Sequence, residues 1–226
     1  MIKALLTIDD IASKNTPAIV DYLNEKGIKP IMFAVGEWVL NNYDEAVYAL
    51  QHGMIVGNHS YSHPFFSELS EEQIIEEITK CEEVLDKLYA DAGVERTFRP
   101  FRFPYGDKGG DKKDMIQNYL RENGFDKVDD TSINYPWWSE NGLDKDIDTY
   151  WTYDCEEYRV RPGSDFTMDS VFEKMNNRDP EAGMVVFEDG RFHILLLHAH
   201  DETEEMCAEY YKKMIDNMLD NGVKFI

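Results

Sequence analysis

The chain has little cysteine, few bases for its acids and no long apolar run, and each shortage removes a class of protein. Its three cysteines, Cys81, Cys155 and Cys207, are odd in number, far apart and without a Cys-x-x-Cys pair. Neither a disulfide framework nor a thiolate zinc site is indicated. Cys81 falls in the helically spaced apolar series Ile74, Ile78, Cys81, Leu85, Leu88 and reads as a small core residue. Only 23 bases stand against 45 acids, a formal charge of −22. That field repels phosphate backbones and sets nucleic acid aside as a partner; it suits a neutral or cationic one. No apolar stretch approaches the roughly 18 residues of a membrane span. The opening Met-Ile-Lys-Ala-Leu-Leu-Thr-Ile-Asp-Asp has a short apolar stretch before paired acids, and lacks a secretory signal's longer apolar region and cleavage site. The expectation is a cytoplasmic protein, or a secreted one if a leader has been removed.

What is present is a folded chain. Apolar residues make up 42% and aromatics 13% of 226 residues, enough for a full core despite 30% charged residues. Repeats, low-complexity tracts and Pro/Gly/Ser linkers are missing, so one domain over residues 1–226 is the simplest organisation.

Short apolar strands alternate with amphipathic helices. Strands are expected at Lys3–Ile8, Pro30–Val35, Met54–Val56, Phe98–Phe101, Lys127–Thr131, Thr149–Tyr153 and His193–Leu197, with a last one after Gly222. Thr16–Lys26 reads as a helix with Pro17 just inside its start and Gly27 just past its end. Helical material runs from Glu37 to His52. Ser70–Asp91 opens on a capping box, Ser-Glu-Glu-Gln. Further helices are expected at Asp111–Asn123, stopped by Gly124, at Thr167–Asn176, and at Glu202–Asn221, capped by Asp201 with Glu204. Such alternation argues for a parallel sheet, open and doubly wound or closed as a barrel. The irregular stretch Ile133–Ile147, with Pro136, Trp137 and Trp138 together, is either an aromatic surface loop suited to sugar stacking or a loop pinned into the core.

Catalytic groups of parallel sheets gather at the carboxyl ends of strands. Four clusters fall there. Thr7-Ile8-Asp9-Asp10 offers adjacent carboxylates, which when buried need a cation or a shared proton, or else merely cap a helix. His59-Ser60-Tyr61-Ser62-His63 carries histidines four apart, which can meet on one face of a helical turn. Two imidazoles with one carboxylate leave coordination positions open, as catalytic zinc requires; the plainer reading is unrelated surface or core histidines. In Phe101-Arg102-Phe103-Pro104-Tyr105-Gly106 the arginine can orient a carboxylate and keep it ionised, and the turn can aim a backbone N–H at an oxyanion, unless it is an ordinary turn beside a surface arginine. Ile194-Leu195-Leu196-Leu197-His198 is a buried strand ending in a histidine, either a satisfied core residue or a general acid. His200, two residues on, reads as incidental.

In this order and on this alternation, the clusters resemble one family. The chain resembles the polysaccharide deacetylases of the NodB-homology family, carbohydrate esterase family four, over Thr7–Asp10, Lys29–Glu37, Gly53–His63, Arg102–Gly106 and Leu195–His198. The resemblance implies an irregular (β/α) barrel of about seven parallel strands. It implies Asp9 as catalytic base, Asp10, His59 and His63 as metal ligands, Arg102 as tuner of the base, the Tyr105 N–H as oxyanion donor and His198 as general acid. Two departures stand out. The first motif reads Thr-Ile-Asp-Asp-Ile, without the usual glycine after the acids. The family's late Asp-Trp pair is replaced by Glu157 and Tyr158, so Glu157 would steady His198, and Tyr158 with Leu196 would line an acetyl pocket. The implied cofactor is a divalent metal, zinc foremost, with Co2+, Ni2+, Mn2+ or Fe2+ as alternatives. The implied partner is an acetylated carbohydrate, a GlcNAc-containing glycan or acetylxylan. Three rivals stay open: a same-fold metal hydrolase of a small cyclic amide, an inactive glycan-binding relative, and a structural protein with core histidines.

Overall fold

The strand that opens the chain, β1 (Ile2–Ile11), lies at the middle of the sheet. The structure, a computed structural model, describes residues 1–179 and 184–226. Every residue of β1 from Leu6 to Ile11 is buried. A strand covered on both faces needs a nearly continuous apolar run, which Ala-Leu-Leu-Thr-Ile supplies with Thr7 as its one polar member. The strand continues three residues beyond the expected Ile8, so Asp9 and Asp10 lie inside it rather than after it.

From β1 the chain passes through α1 (Thr16–Lys26), β2 (Ile31–Ala34), α2 (Gly36–Asn41), α3 (Tyr43–Gln51), β3 (Ile55–Asn58) and the long α4 (Glu71–Ala92). Then come α5 (Lys113–Glu122), α6 (Pro136–Glu140), β4 (Tyr153–Asp154), α7 (Met168–Asn176), β5 (Phe192–His198), α8 (Asp201–Met206), α9 (Tyr210–Asp220) and β6 (Val223–Phe225). The described helices include none long and apolar enough to cross a membrane. α1 has the expected bounds, with Gly27 in the left-handed conformation that ends it. At α4 the Ser70 hydroxyl accepts the Gln73 N–H and the Gln73 side chain accepts the Ser70 N–H, a cap worth about 1 kcal/mol. The stripe Ile74, Ile78, Cys81, Leu85, Leu88 is wholly buried.

All the described strand pairs are parallel, in the order β3-β2-β1-β5-β4, with β6 beside the start of β1. The two outer strands are joined by irregular chain. Phe101 bridges Asn58 of β3, Thr149 N–H donates to the Phe101 carbonyl (2.7 Å), and Thr152 N–H donates to Ile194 of β5 (2.9 Å). The wall therefore curves round as an irregular barrel, closed through single hydrogen bonds rather than a ladder.

This closure corrects three expected strands. Phe98–Phe101 contributes one bridge only. Lys127–Thr131 is not a strand: Lys127 Nζ reaches Asp130 and the carbonyls of Leu143 and Asp146, so side-chain bonds organise it. Thr149–Tyr153 shrinks to β4, because Thr149 is turned toward Phe101. The closing helix is also two helices. Glu209 takes the left-handed conformation (φ 59°), and its N–H donates to the Glu204 carboxylate at 2.8 and 3.0 Å. Asp201 is then no cap; it accepts the N–H groups of Lys14 and Asn15 at the start of α1. Of the two readings of Ile133–Ile147, the pinned loop holds, with Tyr135 and Trp138 buried in a cluster that includes Phe33 and Ile194.

Candidate active site

Parallel pairing of β1 with β5 sets Asp9 beside His198, so the first and last clusters are backbone neighbours. Arg102, fully buried, ties in the third. Its Nε donates to the Thr149 carbonyl (2.9 Å), and its Nη1 donates to Thr7 Oγ1 (2.8 Å) and Asp9 Oδ1 (2.7 Å). The guanidinium lies 4.4 Å from the Phe33 ring centre, a planar cation between aromatic faces. One oxygen of Asp9 is thereby fixed. The other, Oδ2, stands 3.5 Å from His59 Nε2.

Asp10 adopts a left-handed backbone (φ 66°), rare for a non-glycine residue within a strand and typical of functional sites. Its Oδ2 is 2.7 Å from His200 Nε2. Its Oδ1 is buried without a hydrogen-bond partner, 3.4 Å from His63 Nε2 and 3.7 Å from His59 Nε2. Burial pushes this carboxyl up, but the His200 hydrogen bond and the neighbouring His63, His198 and His59 rings outweigh it, and the group stays well below the usual carboxylate range.

The histidines do not meet on a helical turn as expected. Ser60 and His63 are both left-handed, and the loop is held by side chains: Asn58 Oδ1 accepts the Ser60 N–H, Ser60 Oγ accepts the His63 N–H, and Glu77 accepts those of Tyr61 and Ser62. His59 Nδ1 lies 2.8 Å from the Arg102 carbonyl, which fixes the proton on Nδ1 and leaves the Nε2 lone pair toward the carboxylates. Burial, then the neighbouring His59, lower His63 to about 4, so its imidazole is neutral and its Nε2 can act as a donor. Gly57 lets the segment leading to Arg102 pack against β3, since a Cβ there would lie 2.7 Å from the Pro100 carbonyl oxygen.

Across the cleft stands His198. Glu157, buried to zero exposure, accepts the His198 backbone N–H and lies 3.3 Å from its Nδ1. Burial alone would lower this imidazole; the Glu157 carboxylate, then Asp10 and Asp154, raise it to about 10. The Tyr158 ring packs on it at 4.7 Å.

A cleft of about 430 Å³ gathers Asp9, Asp10, His59, His63, Tyr105, Tyr158, Leu196 and His198. Arg102 and Glu157 stand directly behind it. The site residues selected from sequence are thus brought to one place. The cleft also holds residues that sequence reasoning missed: His200, Trp38, Trp151, Asp154 and Arg161. Burial raises Asp154 to about 6, with Glu157 adding to it and His198 opposing. The sequence does carry a signal for His200, because residues two apart on extended chain share a side and His198 is a candidate. A neighbouring hollow of about 540 Å³ shares Trp151 and Asp154 and adds Trp137 and Tyr150.

One donor atom each of Asp10, His59 and His63 lie within 4.8 Å of one another. The unpartnered Asp10 Oδ1 and the Nε2 atoms of His59 and His63 are a donor set that a divalent cation fits.

Fold and site together define an α/β protein with a carboxylate–histidine centre at the mouth of a parallel sheet. The polysaccharide deacetylase family model matches residues 2–128, more than half of the chain, and the chain belongs to that family. It is 37% identical over 103 residues to chitin deacetylase 1 of Cryptococcus neoformans var. grubii, covering 45% of this chain and 21% of that one. It is 34% identical over 117 residues to a peptidoglycan-N-acetylglucosamine deacetylase of Bacillus cereus, covering 51% and 38%. The chain therefore spans well under half the length of these curated relatives. In fold it is similar to the chitin deacetylase of Colletotrichum lindemuthianum, with a TM-score of 0.65 at 23% identity over 99% of this chain and 84% of the other.

Proposed function

We propose that the chain is a metal-dependent deacetylase that hydrolyses acetyl groups of a carbohydrate, with N-acetylglucosamine glycans as the favoured substrate class. The observation that carries this reading is the opposition of two assemblies across one cleft: Asp9 held by Arg102 beside the Asp10–His59–His63 donor set, and His198 held by Glu157. The chitin and peptidoglycan relatives support the sugar class.

Asp10, His59 and His63 would hold the metal, zinc foremost, although the same donors suit Co2+, Ni2+, Mn2+ and Fe2+. When bound, the ion supplies a Lewis acid for the acetyl carbonyl and acidifies the attacking water. Asp9 then takes the water proton at Oδ2, the oxygen that Arg102 leaves free. The Tyr105 N–H is assigned to the developing oxyanion; its left-handed backbone (φ 57°) lies in the Pro-Tyr-Gly turn, with its ring 4.5 Å from that of His63. Tyr158 and Leu196 line the space for the acetyl methyl. His198, with Nδ1 turned to Glu157, protonates the departing nitrogen from Nε2. An amide needs that proton more than an ester does, because an amine leaves poorly without it. An imidazole held at about 10 is an imidazolium at neutral pH, which suits N-acetyl substrates.

The test compares acetate release from N-acetylchitooligosaccharides and from acetylxylan. His198→Ala should lower the amide rate by about 10²–10⁴ and the ester rate by clearly less; equal losses contradict the acid assignment. The pH profile checks Glu157. The imidazolium is lost as pH rises through about 10, so the alkaline limb of activity lies there. Glu157→Gln removes the charge that raises it and should move that limb down by roughly 1–3 pH units. An unmoved limb would show that Glu157 does not set it.

A further inference from the structure

We infer that His200 is a positioning residue of the metal centre, a role that rests on the metal-site reading above. A buried carboxylate facing two imidazoles can present either oxygen to a cation. Here the choice is made: His200 Nε2 lies 2.7 Å from Asp10 Oδ2, while Oδ1 has no hydrogen-bond partner and lies 3.4 and 3.7 Å from the Nε2 atoms of His63 and His59. The donation from His200 uses one oxygen and fixes the carboxylate plane, so the remaining oxygen is presented as a single-point ligand.

His200 has the placement this needs. It follows β5 on extended chain (φ −91°, ψ 125°) and stands immediately before α8, so the helix start fixes its backbone. Its ring is boxed by those of His198 at 5.6 Å, Tyr158 at 6.3 Å and Trp38 at 6.5 Å. Among the described residues, the donor atoms within mutual reach for a cation at this end of the cleft are those of Asp10, His59 and His63, without His200. His200 therefore acts through Asp10 and is not itself a ligand. Hydrogen-bond partners of this kind set the orientation and basicity of the ligand they touch.

The experiment measures Zn2+ affinity by chelator competition, and the visible spectrum of the Co2+-loaded protein, for the natural chain, His200→Ala and His200→Gln. Glutamine can donate one hydrogen bond to Oδ2 but offers no imidazole nitrogen. His200→Ala should bind about 10- to 100-fold more weakly, and His200→Gln should recover to within about threefold of the natural chain. The Co2+ bands of the glutamine variant should keep their positions, and the thermal midpoint of all three metal-free proteins should agree. Unchanged affinity in His200→Ala overturns the inference. So does a glutamine variant as weak as alanine with shifted Co2+ bands, which would make His200 a ligand. A natural chain that binds neither ion would bring down the metal site itself, an outcome distinct from either.

Discussion

Asp9→Asn is expected to keep stoichiometric metal while lowering the rate of acetate release by about 10²–10⁴, the usual worth of a positioned base. Asparagine keeps the shape and still accepts the Arg102 Nη1 hydrogen bond, but it cannot take a proton from water. Asp10→Ala, His59→Ala and His63→Ala should behave differently and lose metal and activity together. Adjacent residues of one strand thus have separable roles, because β1 turns to the left-handed conformation at Asp10. Asp9 is directed to Arg102, and Asp10 to the histidines. Metal content by elemental analysis, measured beside rate, separates the two classes. A His63→Ala protein that still holds stoichiometric metal contradicts the ligand assignment, and an Asp9→Asn protein of undiminished rate contradicts the base.

The second large effect is on stability. Arg102→Met should cost about 3–5 kcal/mol, because it leaves Asp9 as a buried carboxylate without its counter-charge. Arg102 has no exposed surface and bonds the Thr149 carbonyl, Thr7 and Asp9, so the loss also loosens the place where the barrel wall closes. Removing both charges should cost far less than removing one, since a buried pair replaced by apolar groups is often near neutral. Asp9→Leu combined with Arg102→Met should therefore recover much of the single-variant loss in urea denaturation. A single variant within about 0.5 kcal/mol of the natural chain, the range of ordinary surface changes, contradicts this account of Arg102.

Elements whose ends are written in local chemistry were legible in the sequence. α1 has Pro17 and Gly27 at its ends, α4 has the Ser70–Gln73 box, and β5 is a continuous apolar run. What failed depends on distant partners. Thr149 is drawn out of a strand by Phe101, and Lys127 organises its segment by reaching carbonyls as far on as Asp146. The break between α8 and α9 falls at a left-handed glutamate, where no glycine marks it. The site followed the same division. Asp9, Asp10, His59, His63, Arg102 and His198 carry side chains whose chemistry is visible in short motifs. His200 reads as incidental because its partner Asp10 is 190 positions away, and Asp154 because burial and the nearby Glu157, rather than a local motif, make its carboxyl unusual. The loop from His59 to His63 brings the two rings together by a route other than the helical turn expected of its spacing.

The most direct test of the central claim is acetate release by the metal-loaded protein from chitin oligomers, peptidoglycan fragments and acetylated xylan, with a chelated control. The account predicts release from N-acetylated glycans that disappears with the chelator and returns when metal is restored. Metal bound at one per chain with no acetate released from any of these sugars would contradict it, and would move the chain to hydrolysis of a small amide or to glycan binding without turnover.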